Sequence, residues 1–508
     1  MYYNSAIINT IIIILRNIKE TYQDSAVARI IRKLAETLKR FFHNSSIFRF
    51  FIKKGFFERV WEYSGIYSLL NGAFNIPSKA FRRFYLRVQG VFDDSLFISM
   101  LRKALNRFEL ILGLLLAVVV VIPDSRWHNV YSIILIIAVG ILFFVKTIIY
   151  EDNTFCVKRL SFPLVVFMLS VLMATITSLF PRVSMNYFIL YAASFLLLLI
   201  VVSSINSVDD INRLLEVLLG GVVITALYGL WQWKVVGIPV DPSQVDMRFN
   251  QGMSGRLYST MGNSNVYGEL LVLTLPFFLA LILNVKSYIK KAVYSLMLLP
   301  ILAALLLTGS RSAWAAFFGS LLIFVFFKNK KLVPFLLVLG IVSFPFLPDT
   351  IRRRVLSIVR FNDSSTGYRK LIFGSAWNMS KEYWLTGVGL GTDVFINIFK
   401  RYAHPGLKTV AHTHNFYLQL WLESGLIALL SFLWFIVRLV RDSILNIARR
   451  AGRQTGSILA AGISSIAGIM VMGLVEHIWF YNRIMIVFWV VVGIKLSAIK
   501  ILNKGEVN

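Results

Sequence analysis

The chain has one cysteine, Cys156, in 508 residues. That excludes a disulfide framework and any thiolate cluster for a metal. Acidic residues are also scarce: 25 Asp and Glu stand against 53 Lys and Arg, for a net charge of +28. In a soluble protein this balance would point to nucleic acid, but no recognisable nucleic-acid module is present. Membrane topology and anionic lipid account for the charge better. Alternating segments of about ten residues, the mark of a membrane β-barrel, are missing. The N-terminus is not expected to be a signal peptide either, since no Lys or Arg precedes the short apolar run at 6–15. The Ala26-Val27-Ala28 sequence that imitates a cleavage site starts a basic amphipathic segment instead.

What is abundant is apolar. Hydrophobic residues make up 57% of the chain, aromatics 14%, and the mean hydropathy is +0.70. Apolar runs of roughly 18 to 25 residues recur along most of the chain, a length that carries a helix across a bilayer. A spanning segment must satisfy its own backbone, so these runs read as helices. The fold class is all-α, a polytopic membrane protein of about twelve transmembrane helices with a large helical extracytoplasmic loop. The expected spans are 109–122, 129–149, 161–180, 185–205, 213–236, 265–285, 292–308, 312–327, 332–347, 415–438, 457–479 and 483–500. Lys and Arg in short loops set the orientation. Clusters after the second, sixth, eighth and tenth spans (Lys158 and Arg159; Lys290 and Lys291; Lys330 and Lys331; Arg441 and Arg449) fall on one side. Both termini are therefore expected in the cytoplasm, with loops at about 237–264 and 348–414 outside it.

Residues 1–107 differ from the rest, as basic and apolar residues alternate without a span-length run. Over 26–42, Val27, Ile30, Ile31, Leu34, Leu38, Phe41 and Phe42 recur at helical spacing, with Arg29, Arg32, Lys33, Lys39 and Arg40 on the other faces. A helix lying on an anionic membrane surface fits this pattern, and so does a small cytosolic helical domain. Residues 108–508 read as one membrane domain.

The 348–414 loop is itself basic. A basic concavity at headgroup level suits an anionic substrate such as a diphosphate, although a solvated or headgroup-binding surface fits the arginine run 352–354 best. The loop ends in His412-Thr413-His414-Asn415, which opens an apolar helix carrying Glu423 about two turns in, where a charge is costly. This titratable cluster at the water–bilayer boundary is the foremost candidate for chemistry. His412 and His414 are expected to point to different faces. Glu423 suits pairing with an arginine or holding a helix junction better than acid–base work, and His477, beside Glu476 near the outer end of the eleventh span, reads as a polar interface residue. Gly387-Val388-Gly389-Leu390-Gly391 has no preceding strand, so it reads as a tight turn rather than a nucleotide loop. Asp241 and Asp246 are too isolated for a metal site.

Three stretches carry a resemblance. They are Gly255-Arg256-Leu257-Tyr258-Ser259-Thr260-Met261-Gly262-Asn263-Ser264-Asn265, then Thr308-Gly309-Ser310-Arg311-Ser312-Ala313-Trp314, and a longer set from Arg369 through 384–391 to His414-Asn415-Phe416-Tyr417-Leu418-Gln419 and Glu423-Ser424-Gly425. In this order they resemble the O-antigen ligase and O-antigen polymerase superfamily of bacterial membrane glycosyltransferases, over about residues 200–440. Ser264 stands where the family usually has proline.

The resemblance implies transfer of a glycan from an undecaprenyl diphosphate donor to a lipid, protein or glycan acceptor outside the cytoplasmic membrane. It needs no cofactor or metal if cations stabilise the departing charge. His414 matches the family's His-Asn position and would be the general base, a role histidine's pKa suits. Arg256 and Arg369 match its functional arginines and would bind the diphosphate. Arg311 is a further contact or a residue snorkelling to the interface. His412 would bind phosphate, orient His414, or do neither. Ligase and repeat-unit polymerase both fit the motifs, with the His-Asn region closer to the ligase pattern. A glycan-lipid transporter or noncatalytic scaffold is the alternative of another kind, but no internal repeat supports a transporter.

Overall fold

The structure, a computed structural model, describes residue 33 and residues 55–92, 95–151, 153–239, 255–356, 364–407, 410–449 and 451–504. Apart from residue 33, the expected surface helix at 26–42 lies outside them, as do Asp241 and Asp246. Among the described residues there are helices and no strand.

The amino-terminal region supplies α1 (Phe56–Glu62), α2 (Gly65–Phe92) and α3 (Leu96–Asn106), and α4 (Phe108–Val121) follows. The body continues through α5 (Asn129–Ile149), α6 (Phe162–Ile176), α7 (Pro181–Ser204), α8 (Val208–Trp231), α9 (Ser264–Asn284), α10 (Tyr288–Leu307), α11 (Arg311–Asn329) and α12 (Leu332–Ser343). Helices α13 (Asp349–Leu356), α14 (Ser364–Glu382) and α15 (Thr392–Phe399) occupy the long loop before α16 (Phe416–Arg449), α17 (Arg453–Met472) and α18 (Asn482–Lys504). Local signals place the starts. Ser207 caps α8 in a capping box with Asp210, Asn263 caps α9 and Ser310 caps α11.

Nine of these helices are long and apolar enough to cross a membrane, so the chain is a multi-pass membrane protein. All twelve expected runs are helical, but three fall short of span length. Helix α4 has 14 residues and is bent by 77° from α3, reaching span length only if the pair is taken as one. Helix α6 has 15 residues and stops before Pro181, which starts α7. Helix α12 has 12 residues and ends in a 3-10 turn around Pro345, which has no N–H to continue the ladder. The run 457–479 also departs from expectation. Its helix stops at Met472, which leaves Glu476 and His477 in the link to α18.

Helices α9, α17 and α18 form the centre, each with 83% of its apolar window buried, while α10 and α11 lie outside at 17% and 22%. Close approach makes this possible. A Cβ on Gly468 of α17 would come within 2.8 Å of Val272 Cγ1 on α9. The amino-terminal region packs on the bundle: Phe57 meets Trp434 of α16 at 4.6 Å, Glu58 pairs with Arg438, and Asn75 exchanges hydrogen bonds with the Phe155 backbone. The 348–414 segment builds a small second core around Ile372, Met379, Phe395 and Phe399, completed by Leu422 of α16.

Candidate active site

The turn that presents His414 is built by polar side chains. Asn415 accepts from the N–H of Leu418 and donates to Leu474 O, and the N–H of Phe416 donates to Gly473 O, which docks the start of α16 against the end of α17. Gln419 accepts from the Thr413 N–H at 2.8 Å and donates to Glu423 at 2.8 Å. Glu423 is thus buried and holds this turn through Gln419.

His414 itself adopts φ 51°, a left-handed conformation uncommon outside glycine. This reverses the chain and brings the His412 and His414 rings to 4.2 Å, against the expectation that they would face apart. The Nδ1 of His412 accepts from the His414 N–H at 3.1 Å, so His412 supports the strained backbone. Burial holds the His412 imidazole well below its usual pKa, and His414, His477 and Arg369 add to the effect. Neutral at physiological pH, it brings no positive charge to the site.

Glu476, unexpected from the sequence, joins the parts. One carboxylate oxygen accepts from Asn265 at 2.8 Å and from Arg369 at 3.3 Å, and the other lies 3.8 Å from His414 Nδ1. That last distance exceeds a hydrogen bond, yet the carboxylate can stabilise an imidazolium there. His414 Nδ1 is enclosed and has no hydrogen-bond partner, so the exposed third of the side chain is the edge away from Nδ1. His477, next in sequence, packs behind. Burial, reinforced by His414, pushes its pKa down to about 3.

Arg256 reaches the same carboxylate through Asn265, to which it donates at 2.6 Å, while its Nε donates to Thr308 O at 2.8 Å. Burial lowers its guanidinium to about 10, Glu476 opposes and Arg311 reinforces the shift, and it stays charged at neutral pH. Arg311 opens α11 on the same turn as Thr308. Arg354, expected on a solvated or headgroup-binding surface, is instead buried and donates to Gly309 O at 3.0 Å. The Ser264 departure also acquires a role, since its hydroxyl donates to the Arg256 carbonyl, which proline cannot do.

Helix α16 is broken at Gly425, whose φ of 82° and ψ of 171° are non-helical, so the helix expected to run unbroken from 415 has a separate first segment. The break receives the glycine run: Val388 N–H and Gly389 N–H donate to Leu422 O and Glu423 O. A Cβ on Gly425 would fall 1.9 Å from Leu385 O. The run 387–391 is thus a tight backbone approach.

His414, Arg256 and Arg369 therefore come together, with Arg311 beside Arg256. Glu476 and Asn265 were missed as site residues. The signal for Glu476 was Gly473, which ends the helix before the carboxylate. Among the described residues no group of three or more His, Cys, Asp and Glu is placed to hold a metal ion. Residues 295–433 match the family model described as O-antigen ligase. The match takes in Arg311, Arg369, His412, His414 and Glu423; Arg256, Asn265 and Glu476 lie outside it. No curated protein matches the chain.

Proposed function

We propose that this chain, whose residues 295–433 match the O-antigen ligase family model, moves a glycan from a polyprenyl diphosphate to an acceptor hydroxyl on the outer face of the bacterial cytoplasmic membrane. The observation that carries the reading is the meeting at Glu476 of a histidine and two arginines distant in sequence. A base and fixed cations around one carboxylate are what displacement of a diphosphate by a hydroxyl requires. The basic clusters in short loops support the outward orientation of the site, with both termini inside.

The acceptor hydroxyl gives its proton to His414 Nε2 as its oxygen bonds to the anomeric carbon. The bond from that carbon to the diphosphate oxygen breaks, and the electron pair leaves with the polyprenyl diphosphate. Glu476 faces Nδ1 and stabilises the imidazolium. Arg369, whose side chain is 24% exposed, reaches the phosphate oxygens, where its planar fork binds two at once. Arg256 is buried, so it acts through its charge and by fixing Asn265 and the Thr308 turn. Arg311 adds positive field beside it. A single displacement of this kind inverts the anomeric configuration.

The test uses purified protein, a defined polyprenyl-diphosphate oligosaccharide, and separate lipid, protein and glycan acceptors. His414→Ala is expected to slow transfer by about 10²–10⁴-fold. Undiminished transfer refutes the assignment of His414, whereas no transfer by the wild type leaves a scaffold or transporter. One chain added per acceptor selects ligase, and a ladder of repeat units selects polymerase.

A further inference from the structure

A pocket of 330 Å³ opens between the α4–α5 link and the residues leading into α18. Trp127, Phe480 and Tyr481 supply aromatic walls, and Asp124, Asn129 and Asn482 supply polar ones. This mixture suits a sugar. A pyranose has an apolar face of C–H groups, which packs on aromatic rings, and a rim of hydroxyls, which needs carboxylate and amide partners.

The pocket is preorganised by Arg483, whose side chain is 2% exposed and which donates to Ile122 O at 2.8 Å, Asp124 Oδ1 at 2.6 Å and Thr260 O at 3.2 Å. The Asp124 side chain keeps 38% exposure, so a carboxylate edge remains open to a hydroxyl. Asn482 is the most informative wall. It is 8% exposed and makes no side-chain hydrogen bond to any described residue. Its amide has no protein partner and stays open to the pocket, so it is available to a ligand hydroxyl.

The pocket also adjoins the chemistry. Phe480 packs 4.5 Å from the His412 ring, which lies 4.2 Å from His414. Contacts run from Arg369 through Glu476, His414 and His412 to Phe480, with the diphosphate-binding cation at one end and the pocket wall at the other.

We propose that this pocket holds the sugar of the acceptor, a pyranose whose hydroxyl is presented to His414. The proposal rests on the glycosyl-transfer reading of the site. Its test is saturation-transfer NMR on the purified full-length protein in detergent, with methyl glycosides of glucose, galactose, mannose and N-acetylglucosamine as probes. At least one glycoside should bind saturably to wild type and to His414→Ala. Asn482→Ala, which trims a single amide, and Trp127→Ala should each weaken that binding about fivefold or more. Wild-type protein that binds none of the four, or binding untouched by both pocket substitutions, overturns the proposal. The two readings fail separately. Transfer lost in His414→Ala with no glycoside bound removes the pocket alone. Transfer unaffected by His414→Ala removes the assignment of the site, and with it the acceptor role.

Discussion

Glu476→Gln isolates the electrostatic part of the proposed mechanism. The amide keeps the shape and an oxygen that can accept from Asn265, but it removes the charge 3.8 Å from His414 Nδ1. Two unit charges at that distance interact by about 4 kcal/mol at an effective dielectric constant near 20, and by about 1 kcal/mol in water. Glu476 is 9% exposed and His414 33%, so the pair lies between these limits. A loss of about 1–3 kcal/mol of transition-state stabilisation corresponds to a fall in kcat of roughly 5- to 150-fold. Arg369 simultaneously loses its carboxylate partner, and a freed guanidinium binds phosphate better. The donor KM should therefore stay level or fall. The assay is steady-state transfer from a polyprenyl-diphosphate oligosaccharide with kcat and KM resolved. A kcat within twofold of wild type, or an effect confined to a raised KM, would refute the placement of Glu476 behind the base.

Further predictions follow from the same geometry. Gly425→Ala puts a methyl group onto Leu385 O in a left-handed backbone and should cost about 3 kcal/mol or more, read as a lower melting temperature and yield. His477 stays neutral down to about pH 3, while an unfolded histidine protonates near 6.5. Its contribution to stability is therefore complete above pH 6.5 and is lost as pH falls toward 3, by up to about 1.4 kcal/mol per unit. His477→Phe should flatten the fall in melting temperature between pH 7 and pH 5, and an unchanged slope contradicts this. With Cys156 replaced by serine, a cysteine at the exposed Lys381 should react with an impermeant maleimide in intact cells and one at the exposed Lys290 should not. Equal labelling would overturn the orientation.

Much of this arrangement was legible because membranes impose simple rules. A run of apolar residues must be helical, so every expected span has a helix, and errors concentrate where prolines and bends cut helices short. The three residues that meet around Glu476 were legible from short motifs in order. Glu476 was not, because the apolar stretch continues through Ile478 and Trp479 and hides the end of α17 at Met472. The facing of His412 and His414 was hidden for another reason. Residue spacing presumes a regular backbone, and a positive φ at a non-glycine residue breaks that premise. Gly425 belongs to one of the motifs, but an isolated glycine is tolerated in a helix, and only its contact with the 384–389 backbone reveals the break.

The clamp made by Arg483 has a consequence for how the protein is made. It bonds a carbonyl 361 positions earlier in the chain, and Glu476 likewise lies between the last two helices. A ribosome delivers Arg256 and Arg369 well before either. A nascent chain therefore presents both arginines early, but Glu476, which gathers them with His414, follows only in the link between α17 and α18. Under the proposed function, the order of synthesis would keep lipid-linked sugar from being consumed by a half-inserted chain.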